Sequence, residues 1–125
     1  MSPEGTVYAF DGFEVNVGLG TFTFQGHPVP ITPKALQTLI LLLRNPAEVV
    51  EKERFLNEIW GNAFVEESTL AQNIRTLRKT LAARNPDKEF IVTVPRRGYL
   101  FTESVAEISS LANRAKPDKA TKPVP

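Results

Sequence analysis

At 125 residues the chain suits one domain, and a makeup of 42% hydrophobic and 23% charged residues is enough to close a single core. Cysteine is absent, which excludes disulfides and thiolate chemistry, and a lone histidine, His27, leaves no ligand cluster for a metal such as zinc. The net charge of +1 hides a gradient: residues 1–66 hold eight acidic and four basic side chains, residues 67–98 three acidic and seven basic. Local potential, rather than the total, steers an anionic partner.

The N-terminus, MSPEGTVYAF, has neither a basic region nor an apolar stretch of the kind a signal peptide needs. The longest apolar block is LILLL at 39–43, far short of the ~20 residues of a bilayer span. The segment therefore reads as soluble and cytoplasmic, whatever a longer parent chain adds. Residues 1–6 are expected to be disordered. VYAF (7–10), FEVNV (13–17), TFTF (21–24) and HPVPI (27–31) then alternate in strand fashion, joined by Asp11-Gly12, Gly18-Leu19-Gly20 and Gln25-Gly26. Joints this short predict a four-stranded antiparallel meander, with Phe13, Val15 and Val17 on one face. Pro28 and Pro30 confine the fourth strand to an edge.

Thr32-Pro33 is a helix start, a capping threonine followed by proline in the first turn. Leu36, Leu39, Ile40 and Leu43 recur on one face, and Asn45-Pro46 stops the helix. Val49-Val50-Glu51 reads as a brief extended link. A second helix, Lys52 to Trp60, buries Phe55, Leu56 and Ile59, and Gly61 ends it. The acidic loop NAFVEE, from Asn62 to Glu67, follows.

A third helix spans about Glu67 to Ala83. At about 100° per residue, Leu70, Ile74, Leu77 and Leu81 form the core arc. Ser68, Gln72, Arg75, Thr76 and Lys79 lie opposite, with Asn73 and Arg78 on the flanks. Asn85-Pro86-Asp87 breaks the helix. FIVTV (90–94), the turn PRRG and YLF (99–101) then predict a hairpin, with Gly98 as the residue that tolerates unusual backbone angles. Two adjacent arginines at a hairpin tip repel each other unless the tip is solvated or meets an anion. Beyond Glu103, Ser104 and Glu107 predict a capped short helix carrying Val105, Ile108 and Leu111. RAKPDKATKPVP, from Arg114, reads as linker or tail leading to a further domain.

Three helices followed by a hairpin make an α+β winged helix-turn-helix, spanning residues 7–103 with residues 104–125 as short helix or tail. In such a fold the third helix enters the DNA major groove and the hairpin wing reaches the flanking backbone or minor groove. Ser68, Gln72, Arg75 and Thr76 have the side-chain types that bond base edges. Arg78, Lys79, Arg97 and Tyr99 are placed for phosphates, Asn73 on the helix flank and Thr93 on the hairpin join the contact set, and Arg96 is the candidate for the minor groove.

ESTLAQNIRTLRKTL followed by FIVTVPRRGYLF resembles the OmpR/PhoB-type winged-helix family of bacterial transcription regulators over roughly residues 7–101. The Thr-Val-Pro-Arg-Arg-Gly-Tyr stretch is similar to the CadC/ToxR-like branch. The resemblance implies a four-stranded N-terminal sheet, a three-helix core and a hairpin wing, together with tandem DNA half-sites. It also implies contact with RNA polymerase through the loop from Asn62 to Glu67. Arg75, Arg78 and Tyr99 keep the family's residue types. Ser68, Asn73, Thr76 and Pro95 stand where many members have arginine, histidine, arginine and arginine.

Enzyme readings find no support. No serine sits on a strand-to-helix elbow, and Gly18-Leu19-Gly20 has no helix after it to hold a phosphate. No cofactor is implied. The rival reading is a winged-helix protein-interaction module, which would display Leu, Phe or Trp on the third helix where this chain has Arg, Gln and Thr.

Overall fold

A computed structural model describes residues 6–61 and 65–109. In chain order it contains β1 (Thr6–Phe10), β2 (Phe13–Asn16), β3 (Thr21–Phe24), β4 (His27–Pro28), α1 (Pro33–Arg44), β5 (Val49–Glu51), α2 (Lys52–Trp60), α3 (Glu67–Ala82), β6 (Ile91–Val94), β7 (Gly98–Phe101) and β8 (Ala106–Ser109). The chain falls into two compact units, one holding β1–β4 with β8 and the other running from Val29 to Ser104.

The first unit is an antiparallel sheet in the order β4-β3-β2-β1-β8. Its two-residue turns are Asp11-Gly12 and Gln25-Gly26, and all four residues have positive φ. That is the signature of the turn whose twist matches paired strands. The register aligns Tyr8, Val15 and Phe22 in one row and Phe10, Phe13 and Phe24 in the next. The Phe13 ring lies 5.1 Å from Phe10, 5.5 Å from Phe22 and 4.6 Å from Phe24, so aromatic stacking holds three strands together. Val17 lies beyond β2 and is only half-buried, though its amide still donates to the Thr6 carbonyl. The proline-bearing β4 occupies an edge, as its missing donors require.

Where Ser104 predicts a capped helix, Ala106–Ser109 is instead a strand paired with β1, making the expected four-stranded sheet five-stranded. The physical reason is the open edge of β1, which offers ready-made hydrogen-bond partners. A helix of one or two turns must nucleate without such help. Leu111 lies outside the described residues, as does the rest of the tail.

In the second unit the three helices pack on one another. The Thr32 hydroxyl caps α1 by accepting from the Ala35 amide at 3.2 Å. The buried face of α1 is wider than its periodicity suggests: Leu41 and Leu42 are buried along with Leu36, Leu39 and Leu43, while Ile40 is only half-buried. In α2, Phe55 and Ile59 are buried and Leu56 and Trp60 half-buried. Lys34 folds over the Trp60 ring, 5.6 Å from its centroid, and donates to the Ile59 carbonyl at 2.9 Å.

A polar clamp joins α1 to α3. Asn73 donates to the Thr38 hydroxyl and to the Lys34 carbonyl (3.1 Å), and Thr38 itself donates to that carbonyl at 2.8 Å. Both side chains are buried, and every donor placed there has a partner.

Val49–Glu51 is more than a link. It pairs with β7 to give a three-stranded sheet in the order β5-β7-β6, so the wing is hydrogen-bonded to the segment that opens α2. Gly98 serves here, and not as the turn residue. Its φ is not positive; Arg96 takes that role at φ 67. The Arg97 amide donates to the Val94 carbonyl at 3.0 Å across Pro95 and Arg96, as in a type II turn. At Gly98 an added Cβ would lie 1.9 Å from the Val50 carbonyl oxygen.

These contacts set the cost of two substitutions. Gly98→Ala should cost about 3 kcal/mol or more, because the clash is with backbone that cannot step aside, and should lower the thermal midpoint by roughly 10 °C or more. Asn73→Ala should cost about 1–3 kcal/mol by stripping the α1–α3 clamp of its donor. Denaturant melts read both; a wild-type midpoint in either variant would contradict the stated contact.

Candidate nucleic-acid interface

The exposed face of α3 is built by its own period. Leu70, Ile74, Leu77 and Leu81 are all at most 1% exposed, which turns Ser68, Gln72, Arg75 and Lys79 outward. These four residues share one arc of the helix, and each is exposed. Gln72 accepts from Arg75 Nη1 at 2.9 Å, which orients the guanidinium while leaving the Gln72 amide hydrogens free. The Ser68 hydroxyl leans on Glu66 at 3.4 Å. Thr76 lies at the rim, half-buried.

Three residues of the expected contact set are placed otherwise. Asn73 is 9% exposed and committed to α1, so it leaves the readout face; it lies about 40° from Leu77 around the helix, within the core arc. Tyr99 is 7% exposed, its ring packed edge-on against Phe55 at 5.8 Å beneath the wing. Arg78 is half-buried and turned toward the hairpin, where it donates to the Ile91 carbonyl (Nε 3.3 Å, Nη2 3.1 Å) and to the Thr93 hydroxyl at 2.7 Å. Thr93 is exposed, but its oxygen is engaged by this arginine.

At the wing tip, Arg96 and Arg97 are both exposed. Arg96 holds a left-handed backbone that arginine adopts only at some cost. Arg97 pairs with Glu51 at 3.5 Å, both side chains about 60% exposed, and its carbonyl accepts the Lys52 amide at 3.0 Å. A pair this exposed contributes little and can be exchanged for another anion. Glu51 and Ile91 are absent from the residues that the sequence singles out. Nothing short of the tertiary pairing marks them.

The acidic loop is represented by Val65, Glu66 and Glu67; Asn62, Ala63 and Phe64 lie outside the described residues. Glu67 pairs with Lys52 at 3.2 Å, tying the start of α3 to the start of α2. His27 is exposed on its edge strand, and among the described residues no group of His, Cys, Asp or Glu is clustered to hold a metal. No helix among them is long and apolar enough to cross a membrane.

Comparison with known proteins agrees with this geometry. Residues 26–101 match the family described as "Transcriptional regulatory protein, C terminal". The transcriptional regulatory protein YclJ of Bacillus subtilis is 38% identical over 93 residues, covering 73% of this chain and 40% of that protein. The transcriptional regulator HilA of Salmonella typhimurium is 32% identical over 102 residues, covering 82% of this chain and 18% of HilA. The chain thus spans less than half the length of these relatives. The DNA-binding domain of E. coli CadC has the same fold, with a TM-score of 0.73 at 23% identity over 82% of this chain and 97% of that one. Fold, readout helix, wing and relatives agree: the chain belongs to the transcriptional regulatory protein C-terminal family, the OmpR/PhoB-type winged-helix DNA-binding domains.

Proposed function

We propose that this domain binds duplex DNA sequence-specifically for a bacterial transcription regulator, with α3 in the major groove and the β6–β7 wing on the flanking backbone or minor groove. The observation that carries the reading is the single exposed arc of Ser68, Gln72, Arg75 and Lys79 beside a wing tip bearing Arg96 and Arg97. An α-helix with its side chains is about 10–12 Å across, which the major groove, about 12 Å wide, admits. Ser68, Gln72, Arg75 and the rim residue Thr76 are the base-edge set. Lys79 and Arg97 hold phosphates, and Arg96 reaches the minor groove. A protein-docking helix would expose large apolar side chains. The only large hydrophobic residue strongly exposed among those described is Leu19, on the β2–β3 turn of the other unit.

Tandem half-sites and contact with RNA polymerase through the acidic loop complete the proposal, in the cytoplasm where such DNA lies. The acidic loop suits a protein partner better than phosphate, since Glu66 and Glu67 are exposed. Substitutions in residues 62–66 that spare DNA binding should change transcription from a bound promoter.

Selection of bound duplexes from a random pool tests the central claim; failure to enrich any sequence would reject it. Arg75→Ala should weaken binding to the selected site by about 1–3 kcal/mol and relax the preference at one base pair. Replacing Arg96 and Arg97 together by alanine should weaken binding to all duplexes and make the log–log salt slope shallower by about 1–2, with the melting midpoint held. Equal slopes would leave the tip a solvated turn.

A further inference from the structure

We infer that Arg78 is a positioning residue: its guanidinium braces the wing against α3 and sets the distance from the readout helix to the arginine tip. The inference rests on the DNA-binding reading above and concerns how that surface is held in shape. β6 is an edge strand, paired on one side only. The Phe90 carbonyl accepts the Thr102 amide at 2.9 Å and the Val94 carbonyl accepts the Arg97 amide at 3.0 Å, so both face the β7 side. Carbonyls alternate along a strand, which turns the Ile91 carbonyl to the open edge. Arg78 occupies that edge, with Nε and Nη2 on the Ile91 carbonyl and Nη2 also on Thr93 Oγ1.

Arg75 and Lys79, on either side of Arg78 in sequence, are exposed; Arg78 is the α3 cation turned onto the hairpin. Its partners lie along the outer strand of the wing, Ile91 at its start and Thr93 near the turn that carries Arg96. Losing the brace frees β6 along its open edge while β5 still holds β7. The planar fork is essential, because it spans two acceptors at once. A lysine keeps the charge but offers only a point donor on a flexible stem.

A double-mutant cycle on the selected duplex, run across a salt series, tests this. The proteins are wild type, Arg78→Lys, the Arg96→Ala/Arg97→Ala pair, and all three substitutions together. Arg78→Lys should weaken binding about 5- to 20-fold with the salt slope unchanged, since no charge is lost. The tip pair should cost about 10-fold or more in the wild type but less than about 3-fold in the Arg78→Lys background, because a misplaced tip has little to lose. Wild-type affinity in Arg78→Lys, or an equal tip cost in both backgrounds, overturns the brace. If Arg78→Lys is unfolded at the assay temperature, Thr93→Val takes its place; it keeps the arginine and removes one acceptor, and the same non-additivity is required of it. No salt-dependent binding by the wild type would defeat the DNA-binding reading itself, and this inference with it.

Discussion

The β7 backbone runs so near β5 at Gly98 that a single methyl group would lie 1.9 Å from the Val50 carbonyl oxygen. This approach lets Val49–Glu51 add a third strand to the hairpin, and Glu51 is also the residue from which α2 begins. Because the Lys52 amide bonds the Arg97 carbonyl, the wing tip is tied to the start of α2 through main chain. Tyr99, paired with Val50, then drops its ring onto Phe55. Side chains at the tip are thus free to vary in role while the strand beneath them keeps its place. A wing fixed this way has little backbone ordering entropy left to lose on binding.

The parts legible in the sequence are those with strong local periods. The arc of Ser68, Gln72, Arg75 and Lys79 comes directly from the leucine spacing opposite, and the Asp-Gly and Gln-Gly joints announce the meander. The wing reads as a hairpin, but the job of Gly98 does not show, because its constraint is set by Val50 in another strand. Tyr99 and Arg78 likewise take their roles from Phe55 and Ile91, distant in sequence or unmarked as acceptors. Asn73 is different: its angle to Leu77 already places it near the core, and its polarity conceals that. β8 stays hidden because a strand edge recruits partners by backbone, with little demand on side-chain pattern.

The surface proposed for DNA is not uniformly basic. Glu51 faces Arg97 and Glu67 faces Lys52, so acidic groups stand beside two of the cations nearest the wing and the start of α3. Such pairs lower the pull on arbitrary polyanions more than on a correctly docked duplex, where arginine trades one anion for a better-placed one. The effect favours discrimination over raw affinity.

β1 lies between β2 and β8, and Thr6 is paired with Ser109 at the end of that ladder. The two ends of the described chain therefore emerge side by side. Tension applied between residues 6 and 109 loads the β1–β8 ladder one pair at a time, from Thr6–Ser109 inward, in the unzipping geometry that yields at low force. A pull shared by the two flanks would peel β8 away first and leave the four-stranded meander, with its phenylalanine stack, intact.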